Sequence, residues 1–105
     1  MKRNETGEKG VLSFSLSGES FGGPDNLDLM ERIAGTVERA GEKVSTVIVD
    51  LEKLEWISGT GVGLLVTLRS RLAKQGIKVK LEKPNARVLS VLQVTRLNMI
   101  FEVIE

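Results

Sequence analysis

The chain of 105 residues contains no cysteine and no histidine. Without cysteine, it cannot form a disulfide, a thiolate nucleophile or a cysteine zinc cluster. Without histidine, it lacks the commonest general base and the commonest metal ligand. Any enzymatic activity would have to depend on carboxylates, lysines and hydroxyls, and we expect a protein that is not an enzyme and binds no metal.

Long apolar segments are also missing. No apolar run approaches the roughly 18 residues that a membrane-spanning helix needs. The first ten residues, MKRNETGEKG, lack the apolar core of a signal peptide. We therefore expect a cytoplasmic protein without membrane insertion. The net charge is only +1, which argues against nucleic acid as a partner.

The charges that are present are unevenly distributed. Residues 1–55 carry eleven acids and seven bases, a net charge of −4, whereas residues 56–105 carry three acids and eight bases, a net charge of +5. Seven of these bases follow each other with one acid among them: Arg69, Arg71, Lys74, Lys78, Lys80, Lys83 and Arg87. Such a series is typical of solvated helix and strand surfaces, and the alternative is a docking face for an acidic protein.

Apolar residues make up 41% of the chain and recur in strand and helix patterns. The predicted order is strand 11–17, a helix from residue 24 with its C-cap at Gly41, strand 45–54, helix 61–76, strand 77–84, a helix starting at 84–85 and strand 100–105. This alternation predicts an α/β fold, with helices packed on a mixed, mostly parallel sheet of four to five strands. We expect one domain over residues 1–105, in which residues 1–9 are either flexible or a short edge strand.

Four details of the pattern concern burial. The alternation in VLSFSLS predicts a strand with one covered face. The nearly continuous apolar run from Val47 to Leu51 predicts a strand that is buried on both faces. Leu27 belongs to the helical stripe that should face the core. Trp56, the only tryptophan, is expected to pack mostly in the core.

The segment WISGTGVGLL, residues 56–65, joins a central strand to the next helix. The helix is predicted to begin near Thr60 or Gly61, which makes Thr60 the first candidate for its N-cap and Ser58 the alternative. Gly59 and Gly61 would let backbone or a partner approach closely. In a parallel α/β sheet such a loop lies at the carboxyl edge, where ligands and partners bind.

Glycines and hydroxyls at a helix start are compatible with several functions. A Walker loop would need a lysine where Val62 or Leu64 stands, and the third glycine of GTGVGL comes one residue early for a dinucleotide loop. A serine nucleophile would need a base that the sequence does not place nearby. A hydroxyl here can instead accept phosphate, whose charge suits a helix N-terminus but not a packed interface. The plain alternative is that Thr60 only caps the helix.

Several motifs together are similar to one known family. Asp50-Leu51 ends an apolar strand, Trp56-Ile57 gives an apolar step, and the helix opens with Gly61-Val62-Gly63-Leu64-Leu65. GIKVKLEKP, LQVTRLNMIFEVI and the early LSFSLSGE match the remaining strands and the closing helix. Over nearly its whole length the chain therefore resembles the STAS domain of anti-sigma factor antagonists.

The resemblance implies a site in the strand-to-helix loop. The family's phosphorylated hydroxyl precedes the Gly-x-Gly and falls on Thr60, with Ser58 as the alternative phosphorylation site. The family's Asp falls on Ser58 and its first Ser on Gly59, and both are departures from the pattern. The residues expected to bind a partner are Ser58, Gly59, Thr60, Gly61, Val62, Gly63, Phe21 and Gly22.

The resemblance also implies a partner switch. The unmodified protein would bind an anti-sigma factor, a Ser/Thr kinase of the GHKL type, and so release a sigma factor. Phosphate on the loop hydroxyl would end that binding, and a phosphatase would restore it. The ATP would belong to the kinase, so we expect no cofactor on this chain. The alternatives are a non-phosphorylated STAS scaffold in a stress-signalling or transporter-ATPase complex, and a small enzyme or ligand-binding protein that uses Asp50, Glu52 and Glu55 as acid and base.

Overall fold

Strands and helices alternate in the computed structural model, which describes residues 2–5, 10–40 and 43–105. The elements are β1 Lys2–Glu5, β2 Val11–Gly18, α1 Pro24–Ala40, β3 Thr46–Leu54, α2 Gly59–Ala73, β4 Lys78–Glu82, α3 Ala86–Val94, a 3₁₀ turn Leu97–Met99 and β5 Glu102–Ile104. The predicted order of strands and helices is confirmed. The predicted C-cap of the first helix, Gly41, lies outside the described residues, as do residues 1, 6–9 and 42.

The sheet has the strand order β1-β2-β3-β4-β5. Strand β1 pairs antiparallel with β2, and the pairs β2–β3, β3–β4 and β4–β5 are parallel. In the register, Phe14, Val49 and Leu81 lie side by side on three neighbouring strands. The sheet is therefore mixed and mostly parallel, as the sequence predicts, and β2, β3 and β4 end at one common edge.

The hydrophobic core lies on one face of this sheet. Phe14, Val49 and Leu81 are fully buried and belong to one cluster with side chains from all three helices. On the opposite face, Ser13 and Ile48 remain half-exposed. The prediction that β3 is buried on both faces is therefore wrong. Because the helices cover a single face, the outward residues of β3 keep contact with solvent.

The inner faces of the helices follow the predicted stripes with one exception. In α2 the buried stripe is Leu65, Leu68 and Leu72, as predicted. In α1 the side chain of Leu27 is 54% exposed, so its predicted place in the core is wrong. Leu27 lies in the first turns of α1, at the rim of the groove between α1 and α2, where its neighbours cover it only partly.

An ion-pair network joins α1 to α2 on the surface. The Arg71 guanidinium donates hydrogen bonds to Glu38 at 2.7 Å and to Glu31 at 2.6 Å. These hydrogen bonds raise the pKa of Arg71 and, together with one from Gln75, lower the pKa of Glu38. Arg71 of α2 therefore pairs with carboxylates of α1 inside the protein. It is less available to a partner than the series of basic residues suggested.

Candidate functional site

Two loops meet at the carboxyl edge of the sheet. We call residues 19–23, after β2, the Phe21 loop, and residues 57–63, after β3, the β3–α2 segment. The Phe21 N–H donates to the Trp56 carbonyl at 3.0 Å, and the Ser58 N–H donates to the Phe21 carbonyl at 3.0 Å. Phe21 and Ile57 also form an isolated parallel bridge, and both side chains are buried. The two loops are therefore held together as an extension of the β2–β3 pairing.

Ser58 is the N-cap of α2, which begins at Gly59. Its hydroxyl accepts a hydrogen bond from the Gly61 N–H at 3.1 Å and donates one to the Phe21 carbonyl at 3.1 Å. The helix begins one residue before Thr60, close to the predicted start, but the prediction that Thr60 is its cap is wrong, and the alternative cap, Ser58, is correct. The bond to Phe21 explains the choice, because it fixes Ser58 in the extended conformation that a cap residue needs.

Thr60 is the second residue of α2 and its side chain is exposed. Within the described part of the chain, its hydroxyl makes no hydrogen bond. The first turn of α2 contains no acidic residue. Thr60 therefore places a free hydroxyl at the positive end of the helix dipole, where added negative charge is electrostatically favoured.

The glycines of the β3–α2 segment divide into two kinds. Gly61 is buried, and a Cβ atom there would collide with the Phe21 carbonyl oxygen and lie 2.9 Å from a side-chain carbon of Ile57. Gly59 and Gly63 are exposed, and a Cβ atom on either would meet no atom within 4 Å. One glycine thus permits the packing of the two loops, whereas two others leave the backbone around Thr60 open to an approaching molecule.

Gly22 also belongs to the contact between the loops. Its φ of +136° lies in a region that side chains other than glycine rarely adopt, and a Cβ atom there would collide with the Ser58 hydroxyl. Of the residues predicted to bind a partner, Gly59, Thr60 and Gly63 are exposed. Those that are half-buried are Gly22, Ser58 and Val62, and those that are buried are Phe21 and Gly61. The buried residues shape the surface that the exposed ones present.

Two asparagines that the sequence analysis did not identify as site residues fix these loops. The side-chain oxygen of Asn26 accepts hydrogen bonds from the N–H groups of Gly22 at 2.8 Å and Gly23 at 2.9 Å. Asn85, the N-cap of α3, donates to the carbonyl of Leu54 at 3.1 Å. In the sequence, each of the two is an asparagine near a helix start. That position indicates a helix cap, but it does not show which distant backbone groups the side chain contacts.

Trp56 lies immediately before the β3–α2 segment and is 38% exposed. The Arg87 guanidinium stands over its ring, 5.3 Å from the ring centre. The expectation that Trp56 packs mostly in the core is therefore wrong. The reason is that Leu54 and Ile57, on either side of it, point into the core and direct Trp56 outward toward α3.

A metal site or a membrane-spanning helix would each indicate another function. Among the residues that the structure describes, no three Asp or Glu side chains cluster in a way that could hold a metal ion. No helix in the described ranges is long and apolar enough to cross a membrane. Asp50 uses a carboxylate oxygen to accept the Glu52 N–H at 2.9 Å, so it serves the local turn.

Comparison with known proteins places this geometry in a family. The family model for the STAS domain matches residues 4–105. A comparison with curated protein sequences gave no significant match. The chain is similar to the structure of the anti-sigma factor antagonist SpoIIAA in its unphosphorylated form, with 22% identity over 99% of this chain and 89% of that one, and a TM-score of 0.75.

Two further structures share the fold. The Bacillus cell fate determinant SpoIIAA in its phosphorylated form has 19% identity over 99% of this chain and 92% of that one, with a TM-score of 0.68. The STAS domain of a SulP transporter from Vibrio cholerae has 20% identity over 95% of this chain and 77% of that one, with a TM-score of 0.71. The match of the family model over nearly the entire chain shows that this protein belongs to the STAS domain family.

Proposed function

We propose that this protein is an anti-sigma factor antagonist that works by binding in the cytoplasm and catalyses no reaction itself. Its partner is an anti-sigma factor of the GHKL-type Ser/Thr kinase class, and a phosphate on Thr60 ends the binding. The ATP for that transfer belongs to the kinase, and a phosphatase restores the binding-competent form. The observation that carries the proposal is the free, exposed hydroxyl of Thr60 in the second position of α2.

The surroundings of Thr60 support access by two different proteins. Gly59 and Gly63 have open space above their backbone, so an active site or a binding surface can come close to the hydroxyl between them. Ser58 suits modification less well, because its hydroxyl already caps α2 and bonds the Phe21 carbonyl. A phosphate on Ser58 would replace the proton that its hydroxyl donates to the Phe21 carbonyl and so remove that hydrogen bond, whereas a phosphate on Thr60 removes none.

The energetics of a phosphate on Thr60 differ between the free protein and a complex. The phosphate adds a charge of about −1.5 to −2. At the N-terminus of α2 that charge is favourable by about 0.3–1 kcal/mol. Pressed into an interface, the same charge opposes binding by several kcal/mol, and about 2.7 kcal/mol already corresponds to a 100-fold loss of affinity. The fold would tolerate the modification while the complex would not.

The test uses the purified protein, Mg-ATP and a GHKL-type kinase from the same organism. Intact-mass measurement should show the addition of one phosphoryl group, and peptide mapping should place it on Thr60. The Thr60→Val variant should gain none, and the Ser58→Ala variant should still be modified. In a binding assay with the same kinase, Thr60→Glu should weaken the complex by about 100-fold or more. Modification of Ser58, or unchanged binding by Thr60→Glu, would contradict the proposal.

A second candidate function is a non-phosphorylated STAS scaffold in a stress-signalling or transporter-ATPase complex. It is favoured by Ser58 and Gly59, which stand where the resemblance leads one to expect Asp and Ser. A scaffold would keep its complex when Thr60 is changed to Glu and would gain no phosphate from the kinase. The same two measurements therefore distinguish the two functions.

A further inference from the structure

A second surface lies on the outer side of α3, and one of its walls is Trp56, the residue that precedes the β3–α2 segment. A groove of about 520 Å³ runs along the helix, and we call it the α3 groove; it is lined by Trp56, Ala86, Arg87, Ser90, Val91, Val94 and Thr95. Val94 is 80% exposed and Trp56 is 38% exposed. The opposite side of α3 buries Val88 and Leu92 in the core. The helix therefore carries a second, partly apolar face that the fold covers only in part.

The shape of the groove fits a helix. Its residues on α3 and at the C-cap of that helix, Thr95, come in pairs at 86–87, 90–91 and 94–95, one pair for each turn. Over these residues α3 extends about 12–14 Å, which matches two turns of a partner helix with apolar residues at positions i, i+4 and i+7. Trp56 forms the other wall: its carbonyl accepts a hydrogen bond from the Phe21 N–H, and the Arg87 guanidinium stands 5.3 Å from the centre of its ring.

Arg87 is the charged side chain that lines the α3 groove, and the chain before and after it is basic. Residues 83–101 contain three bases and no acid. Lys83 is paired with Glu52 at 3.5 Å, but Arg87 and Arg96 have no carboxylate partner among the described residues. Arg87 lines the groove and Arg96 follows its last residue, and Glu55, next to Trp56 in the chain, does not line it. A second copy of the chain would bring the same cations against each other, which disfavours self-association through this surface.

We propose that the α3 groove docks an acidic amphipathic helix of a partner protein. The apolar ridge of that helix covers Trp56, Val91 and Val94, and its flanking carboxylates pair with Arg87 and Arg96. Tryptophan and arginine at the centre of a patch are the residues that most often dominate binding energy. This surface does not depend on the modification of Thr60, so it can serve either function proposed above.

The fluorescence of Trp56 provides the assay, because it is the only tryptophan and lines the groove. Two stapled helical peptides of about 14 residues, roughly 20 Å long, share one leucine ridge and carry either glutamate or lysine on its flanks. The glutamate peptide should change the fluorescence saturably, and the lysine peptide should bind at least about 10-fold more weakly. Arg87→Glu should reverse this preference.

A pair of matched variants locates the binding site. Val94→Asp should weaken the glutamate peptide by at least about 10-fold. Met99→Asp is the control, because Met99 is 81% exposed but does not line the groove, and it should bind like the unmodified chain. Thr60→Glu should also bind the peptide normally, which separates this surface from the proposed switch. Thermal melts of all variants verify that each is folded.

Four results would overturn the inference. These are no binding of the glutamate peptide, equal binding of both peptides, or a Val94→Asp variant that binds as well as Met99→Asp. The fourth is a different occupant of the groove, whose binding the Val94→Asp variant abolishes. Sedimentation that shows a dimer would identify a second copy, and a Trp56 shift with phosphatidylglycerol vesicles, absent with phosphatidylcholine alone, would identify a membrane.

Discussion

Gly61 and Gly63 lie two residues apart in α2, and replacing each by alanine should change stability in opposite directions. In a helix, alanine is favoured over glycine by about 1 kcal/mol. At Gly63 a new Cβ atom meets nothing within 4 Å, so this preference acts alone. We expect Gly63→Ala to raise the free energy of unfolding by about 0.5–1 kcal/mol.

At Gly61 the packing between the two loops opposes that preference. The Cβ atom would collide with the Phe21 carbonyl oxygen and lie 2.8 Å from a ring carbon of Phe21 and 2.9 Å from a side-chain carbon of Ile57. The first of these is backbone and the others are buried, so none can move aside freely. Overpacking of this kind costs about 1–3 kcal/mol, and each hydrogen bond lost between Ser58 and its partners adds about 0.5–1.5 kcal/mol. The net expectation for Gly61→Ala is a loss of about 1–3 kcal/mol after the helix preference is subtracted.

Urea denaturation followed by far-UV circular dichroism measures both effects on one scale. The urea midpoints of the two variants should move in opposite directions at an unchanged m value. In a thermal melt, a change of about 1 kcal/mol in the free energy of unfolding should shift Tm by roughly 4–8 °C for a domain of this size. Gly63→Ala is the control for the helix preference itself. If Gly61→Ala were as stable as Gly63→Ala, the close contact between the Phe21 loop and the β3–α2 segment would not exist as described.

Two further predictions concern the N-cap and the α1–α2 network. Ser58→Ala should lower the free energy of unfolding by about 1–2 kcal/mol, measured by urea denaturation, because it removes the cap and leaves the Gly61 N–H without its acceptor; an unchanged midpoint would show that the cap is unimportant. Because Arg71 lowers the pKa of Glu38 below its ordinary 4.5, the Glu38 carboxylate should add stability above pH 4.5 and lose that contribution as the pH falls through its lowered pKa. Stability curves of the unmodified chain and Glu38→Gln should therefore differ at pH 7 and converge in acid, and a constant difference would refute the assignment.

The order of elements and the sheet could be predicted because their signals are local. The alternation that buries Phe14 and the stripe that buries Leu65 and Leu68 can be read within ten residues of sequence. Once strands and helices alternate, a mostly parallel sheet follows from the rule that parallel strands need crossover helices. The pattern could not predict whether helices cover one face of the sheet or both. The prediction that β3 is buried on both faces was wrong for this reason.

The details of the site depended on contacts between distant residues. Ser58 and Thr60 are both good cap residues, and the choice between them depends on the Phe21 carbonyl, 37 residues earlier in the chain. Asn85 likewise bonds backbone 31 residues away, and its helix-start position indicated only a local cap. Trp56 is large and apolar, yet its neighbours already fill the core beneath it. Each of these outcomes is set by tertiary packing, which neither propensity nor periodicity encodes.

The structure separates two hydroxyls that the sequence presents as near equivalents. The Ser58 hydroxyl caps α2 and donates a hydrogen bond to the Phe21 carbonyl, and its modification would lose that donated bond at a cost of about 0.5–1.5 kcal/mol. The Thr60 hydroxyl takes part in no hydrogen bond among the described residues, and a phosphate there would be favoured by about 0.3–1 kcal/mol. A regulatory site must change binding without unfolding its own protein. Of the two positions, Thr60 meets that condition better, and Gly59 and Gly63 leave room for the enzyme of the proposed modification.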